Sequence, residues 1–113
     1  MEINKAILVK MAKYCAYQER CHWEVKEKLK SLGVWGAQAD EMMAYLIEEN
    51  YLNEERYCKA FVGGKFRVKK WGRNKIIFEL RAKNVSERNL KTALASEISE
   101  EDYQATIQFL IEK

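Results

Sequence analysis

The sequence repeats itself with a shift of 51 residues, and this repeat limits the folds open to the chain. Residues 25–34 lie over residues 76–85. The two stretches share three apolar positions: Val25 over Ile76, Leu29 over Leu80 and Val34 over Val85. Gly33 lies over Asn84, and both residue types tolerate the left-handed backbone that ends a helix. Repeats of this length are typical of helical modules that bury their apolar faces on their neighbours.

A second match links the starts of two predicted helices. Residues 53–57 and residues 99–103 each hold an N-cap residue, two acids and then a tyrosine in the same order. Asparagine and serine accept hydrogen bonds from the first turn of a helix, and acids there complement the helix dipole. The repeating unit is therefore three helices in about fifty residues.

Apolar residues recur at three- and four-residue steps, which is the spacing of one face of an α-helix. The predicted inward positions are Ile3, Ile7, Met11, Tyr14, Cys15, Trp23, Val25, Leu29, Leu32, Ala39, Met42, Met43, Leu46, Ile47, Tyr57, Phe61, Val62, Ile76, Ile77, Leu80, Leu90, Ala93, Leu94, Tyr103, Ile107, Leu110 and Ile111. No two apolar runs flank a hairpin turn. The predicted fold class is all-α, with tandem three-helix repeats in an extended, curved array.

Residues 1–52 are the first predicted repeat, residues 53–98 the second, and residues 99–113 the first helix of an incomplete third. That last helix has an apolar face with no partner helices after it. Either the natural chain continues, or this helix folds back onto the second repeat. We expect the former, so that the sequence is a fragment of a longer chain.

Composition excludes several protein classes. No apolar run approaches the ~18 residues needed to cross a bilayer, and residues 1–5 lack a signal-peptide pattern. We expect a soluble, cytoplasmic monomer without membrane contact. Cys15, Cys21 and Cys58 are an odd count without CxxC spacing, so neither a disulfide nor a zinc site is expected.

Charge is unevenly distributed along the chain. Residues 1–56 hold 8 basic and 10 acidic side chains, residues 57–95 hold 11 and 2, and residues 96–113 hold 1 and 5. The middle segment therefore carries a net charge of +9, although the whole chain carries only +3. Such a segment indicates a polyanionic partner or an acidic protein surface.

Residues 63–75 contain six cations and no acid. The candidate contact residues are Lys65, Arg67, Lys69, Lys70, Arg73, Lys75 and, further along, Arg81. Cations near the end of a helix also complement its dipole, which is a purely structural explanation. We favour contact with phosphates or an acidic partner, because no acid lies nearby in the sequence. Nothing indicates base reading, so sequence specificity is not expected.

Trp71 has two interpretations. It stacks on a base or on an arginine of a partner, or it anchors the junction between two helices. Packing is the favoured role for Trp71, and also for Trp23, Trp35 and Phe66.

The sequence offers no catalytic constellation. His22, the only histidine, lacks a partner of known catalytic form and is expected to be exposed in the first turn of a helix. Glu54 and Glu55 are explained by the start of the fourth helix. We therefore predict a protein that is not an enzyme, with no catalytic residue, no metal and no cofactor.

The chain resembles the RecX family of regulators of the RecA recombinase over residues 5–110. Three passages carry the likeness, together with the three-helix repeat: Arg20-Cys21-His22-Trp23-Glu24-Val25 with Leu29; Tyr51-Leu52-Asn53-Glu54-Glu55-Arg56-Tyr57-Cys58; and Trp71-Gly72 with Ile76, Glu79, Leu80 and Arg81. The second passage is the most specific, because it needs several unrelated residue types in a fixed order.

Two residues depart from the pattern of the family. Cys21 stands where the family prefers serine, which could cap the second helix in a capping box with Glu24. With a thiol there, either the helix starts less firmly or Glu24 does more of the capping. Cys58 replaces an alanine.

The resemblance implies a modulator that lies along the groove of RecA–DNA filaments. Members of the family typically inhibit recombinase and ATPase activity and bind DNA, in the setting of DNA repair, recombination and the SOS response. The alternative is a general nucleic-acid-binding helical module without a recombinase partner.

Overall fold

Six α-helices make up the described part of the chain. A computed structural model describes residues 4–99, and within that range it contains no strand. The helices are α1 (Lys5–Tyr17), α2 (His22–Ser31), α3 (Gly36–Glu48), α4 (Glu54–Arg67), α5 (Arg73–Ala82) and α6 (Glu87–Glu97). The all-α prediction is confirmed. The seventh predicted helix, residues 99–113, lies outside the described residues except for Ser99. None of α1–α6 combines the length and the apolar character needed to cross a membrane.

The chain divides after Glu54 into two compact units. In the first unit, α2 packs against α1 and α3, and in the second unit α5 packs against α6. The core of the first unit consists of Met11, Cys15, Val25, Leu29, Val34, Ala39, Met42, Met43, Leu46 and Leu52. All but Val34 and Leu52 stand at positions predicted to face inward, because helical periodicity identifies the buried stripe.

The turn after the second helix of each unit has the same geometry. Gly33 has φ 82° and Asn84 has φ 57°, both in the left-handed region. The N–H of Val34 donates to the carbonyl of Leu29 at 2.9 Å. At the equivalent place the N–H of Val85 donates to the carbonyl of Leu80 at 3.5 Å. The predicted repeat of the turn is confirmed.

The start of α2 depends on a glutamate. The N–H of Cys21 donates to Oε1 of Glu24 at 3.0 Å, so Glu24 caps the helix from its third position. The Cys21 thiol is fully buried, and burial raises its pKa to about 11. At the start of α6 the cap is a serine, a preferred N-cap residue: Ser86 accepts from the N–H of Asn89 at 3.1 Å.

Glu54 has a different role from the predicted one. The residue is only 7% exposed, and its Oε2 accepts a hydrogen bond from the N–H of His22 at 3.1 Å. The Nδ1 of His22 lies 3.6 Å from the same oxygen. The buried carboxylate therefore satisfies a donor of the first turn of α2, 32 residues away, rather than only complementing the start of its own helix. His22 is correspondingly half-buried instead of exposed.

The prediction of packed tryptophans in the first unit is wrong for Trp35, which is 68% exposed. Trp35 is the N-cap residue of α3 and therefore precedes the apolar stripe of that helix. Trp23 is also exposed, because it lies two residues before Val25 and therefore on the opposite side of α2 from the buried stripe formed by Val25 and Leu29. Ile47 lies at the edge of the α3 stripe and is likewise exposed.

Gly63 and Gly64 are neighbours inside α4 with different surroundings. The sequence predicts close packing or a bend here, because glycine costs a helix about 1 kcal/mol relative to alanine. Gly63 is buried, and a Cβ there would meet the guanidinium of Arg67 and the carboxylate of Glu97. A Cβ on Gly64 would meet nothing within 4 Å. Close packing is thus a property of Gly63 alone.

Gly64→Ala is expected to raise the free energy of unfolding by about 1 kcal/mol, because alanine favours the helix and meets no obstacle. Gly63→Ala has the same propensity gain but displaces Arg67 from Glu97, so its net gain is smaller. Urea unfolding followed by circular dichroism measures both variants. A larger gain for Gly63→Ala than for Gly64→Ala would contradict the conclusion that Gly63 is the closely packed glycine.

Candidate functional site

The basic segment spans the end of α4, the following loop and the start of α5. Lys65 and Arg67 lie in the last turn of α4, and the loop holds Lys69 and Lys70. Lys70 has φ 60°, a left-handed backbone that ends the turn after α4. The first turn of α5 holds Arg73 and Lys75, and its last turn holds Arg81.

Trp71 brings two of these cations together. The Nζ of Lys65 lies 4.9 Å and the Nζ of Lys75 lies 4.2 Å from the centroid of its ring. Phe61 meets the same ring edge-on, with centroids 6.3 Å apart. The backbone N–H of Trp71 also donates to the carbonyl of Lys65 at 3.0 Å. Trp71 is half-buried, so the predicted packing role is confirmed, and the ring also gathers positive charge.

A shallow, open depression lies beside this ring. Its lining residues are Ala60, Phe61, Gly64, Lys65, Val68 and Lys69. Val68 is 75% exposed, and the absence of a side chain on Gly64 leaves the helix backbone accessible. The depression therefore has an apolar floor with cationic edges.

Two candidate residues make ion pairs with acids of the same unit. The Nη2 of Arg67 lies 2.9 Å from Oε1 of Glu97, and its Nη1 donates to the carbonyl of Glu97 at 3.2 Å. Arg81 donates to both carboxylate oxygens of Glu87 at 2.9 and 3.1 Å. The premise that no acid compensates these cations is therefore wrong for Arg67 and Arg81. Folding places each arginine beside an acid that lies 30 residues away for Arg67 and 6 residues away for Arg81 in the sequence.

The Arg67 guanidinium that donates to Glu97 holds the pKa of that carboxyl below its ordinary value of 4.5. A lowered pKa in the fold stabilises the protein above the unfolded pKa, and this contribution is lost as the pH falls through the folded pKa. Arg67→Gln is expected to raise the pKa of Glu97 toward 4.5. At neutral pH it should cost less than about 1 kcal/mol, because the Arg67 side chain is largely exposed, and the cost should vanish in acid.

An NMR titration of the Glu97 carboxyl carbon measures this shift. Lys69→Gln is the matched control, because it removes the same charge from the exposed loop and should leave the pKa of Glu97 where it is. An unchanged pKa in Arg67→Gln would rule out the pair as its cause.

A second cationic cluster, in the first unit, was missed by the sequence analysis. The Cζ of Arg20 lies 3.7 Å and the Nζ of Lys28 lies 5.5 Å from the centroid of the Tyr14 ring. An open cleft at this ring is lined by Lys10, Lys13, Tyr14, Tyr17, Arg20, Lys28 and Leu32. A charge count over shorter segments of the sequence could have found this cluster. Residues 5–31 hold seven bases and three acids, whereas residues 32–54 hold five acids and no base.

Several known proteins with similar sequences carry the same family name. A family model described as "RecX, second three-helix domain" matches residues 53–94. A regulatory protein RecX of Clostridium perfringens (strain SM101 / Type A) is 37% identical over 90 residues, which are 80% of this chain and 41% of that protein. Regulatory protein RecX of Bacillus mycoides (strain KBAB4) is 29% identical over 112 residues, 99% of this chain and 41% of that protein. The chain thus spans about two fifths of these relatives.

Solved structures show the same fold. The crystal structure of RecX from Lactobacillus salivarius superposes with a TM-score of 0.85 at 23% identity, covering 93% of this chain and 68% of that one. A crystal structure of regulatory protein RecX gives a TM-score of 0.79 at 20% identity, covering 88% and 49%. With the helical repeat, the matched second domain and the curated relatives, the chain belongs, over the residues it spans, to the RecX family.

Proposed function

We propose that the chain is a RecX-like regulator that binds the RecA–DNA filament and inhibits its recombinase and ATPase activity. Its relatives are named regulatory protein RecX, and the second unit matches the domain model of that family. In this proposal it acts as a cytoplasmic monomer. Because the chain spans only part of those relatives, its contacts are argued from its own residues.

The cluster of Lys65 and Lys75 on the Trp71 ring is the observation that carries the proposed contact. Two ammonium groups held on one ring are positioned before binding, which lowers the entropy lost on contact. Lys69, Lys70 and Arg73 lie between or beside them in sequence and extend the charge. Arg67 and Arg81 would first have to exchange their acidic partners for the ligand, so we expect them to contribute less.

A general nucleic-acid-binding helical module remains the second candidate. The observation that favours it is the combination of aromatic rings and lysines at one place, since such a surface suits phosphates and stacked bases without any protein partner. Neither candidate predicts sequence specificity, because lysines held on a ring contact phosphates and not the edges of bases.

ATP hydrolysis by RecA filaments on single-stranded DNA tests the proposal. Hydrolysis is expected to fall as the whole chain is added to preformed filaments. A Lys65→Ala/Lys75→Ala variant should inhibit less, with Lys5→Ala/Lys26→Ala as a control of equal charge. No change in hydrolysis at saturating protein would refute the proposal. Inhibition that excess free DNA abolishes would support the second candidate instead.

A further inference from the structure

The two units place a cation on an aromatic ring at equivalent positions, with the residue types exchanged. A shift of 51 residues puts Tyr14 over Lys65 and Arg20 over Trp71. In the first unit the ring stands at position 14 and the cation at position 20, 3.7 Å from its centroid. In the second unit the cation stands at position 65 and the ring at position 71.

The same pair of positions is also joined through a backbone carbonyl in each unit. The Nε of Arg20 donates to the carbonyl of Tyr14 at 3.0 Å. The backbone N–H of Trp71 donates to the carbonyl of Lys65 at 3.0 Å. Each unit thus closes the end of its first helix with a cation–ring pair, although neither residue is conserved between the copies.

The clefts beside these pairs are equivalent as well. Residues 10, 13, 14 and 17 line the cleft of the first unit, and residues 61, 64, 65 and 68 line the depression of the second. An exposed apolar side chain ends the helix face in both, since Tyr17 is 83% and Val68 is 75% exposed. The first unit therefore carries its own copy of the candidate surface.

The cleft of the first unit is cationic even though residues 1–56 are net negative. Four of its lining residues are basic, namely Lys10, Lys13, Arg20 and Lys28, and no acid lines it. Of the acids of α2, Glu24 accepts from the N–H of Cys21 and also acts electrostatically on Tyr14, and Glu27 lies 3.4 Å from the Nζ of Lys30. The acids of α3 lie in residues 32–54, which contain no base, and none of these acids lines the cleft.

We propose that this cleft is a second binding site, for single-stranded nucleic acid. The cations Lys10, Lys13 and Lys28 contact successive phosphates as mobile point charges, while the ring holds Arg20 in place. The exposed Tyr17 ring stacks on an unpaired base. A double strand hides its base faces, so an exposed ring among lysines suits a single strand better.

Binding of a fluorescent thymidine oligonucleotide to the whole chain, across a salt series and without RecA, tests the site. Lys10→Ala/Lys13→Ala/Lys28→Ala should lower the magnitude of the log–log salt slope by about 2, at roughly 0.7 per lost phosphate contact. Tyr17→Ala should weaken binding about tenfold and leave the slope unchanged, since stacking is worth roughly this much per base. All four side chains are exposed, so the fold should survive, and thermal unfolding by circular dichroism verifies it.

Lys5→Ala/Lys26→Ala/Lys30→Ala is the matched control, because it removes three cations of the same helices that do not line the cleft. Equal losses in the two triple variants would overturn the proposal, as would an unchanged affinity in Tyr17→Ala or no binding by the unsubstituted chain. A cleft variant that keeps its oligonucleotide affinity but inhibits RecA less would assign the cleft to a protein partner and refute this site. Because the oligonucleotide-binding measurement itself contains no RecA, it can succeed or fail independently of the proposed regulatory function.

Discussion

Leu29→Ala is expected to lower the free energy of unfolding of the first unit by about 3 kcal/mol. The Leu29 side chain is fully buried in α2, the helix that packs against both α1 and α3. Truncation removes the transfer free energy of three carbon atoms and leaves a cavity among residues of all three helices. Since small domains are stable by only about 5–15 kcal/mol, such a loss is a large fraction of the total.

Leu8→Ala is the matched control for this prediction. The substitution is chemically the same, but Leu8 lies on α1 and is only partly buried. The expected loss in the free energy of unfolding is therefore clearly smaller. Urea unfolding gives the total effect, and hydrogen exchange of the α1–α3 amides shows whether the loss is in the first unit. Equal losses for Leu29→Ala and Leu8→Ala would contradict the core assignment.

Local features of the fold could be predicted from the sequence because local chemistry determines them. Gly33, Asn50 and Asn84 end helices in left-handed conformations, since glycine and asparagine tolerate positive φ. Ser86 caps α6 through its own hydroxyl three residues from the donor. Such contacts lie within one turn of the chain, so the pattern contains them.

Contacts between distant residues could not be predicted in the same way. Glu54 meets the N–H of His22 32 residues away, and Arg67 meets Glu97 30 residues away. Glu54 has an adequate local explanation at the start of a helix, and Glu97 has none. In both cases only the fold supplies the hydrogen-bond partner. For this reason the sequence alone overestimated how many cations of the basic segment lack an acid.

The second cationic cluster shows a different limit. A repeat is recognised when equivalent positions hold similar residues, but Tyr14 lies over Lys65 and Arg20 over Trp71. The contact between ring and cation is preserved while both residue types change places, so similarity is lost and the interaction is kept. Averaging the charge of residues 1–56 hid the cluster further, because the acids of that segment lie mainly in its second half.

The basic segment of the second unit yields the largest expected change in binding. If four to six cations contact a single strand, the log–log salt slope of the whole chain is roughly −3 to −5. Lys69→Ala/Lys70→Ala/Arg73→Ala removes three contacts, so the magnitude of the slope should fall by about 2. Because this electrostatic contribution vanishes near 1 M salt, the affinity at 0.1 M salt should fall by about 100-fold.

A triple variant of equal charge separates specific contact from the loss of net charge. Lys5→Ala/Lys26→Ala/Lys91→Ala removes three exposed cations from α1, α2 and α6, none of which lies in the basic segment. It lowers the long-range attraction of the chain for a polyanion as much as the first variant does, but it removes no proposed phosphate contact. Its slope should therefore stay within about one unit of the original. Identical slopes for the two triple variants would mean that the basic segment only contributes to the overall field, and the assignment of Lys69, Lys70 and Arg73 as contact residues would be wrong.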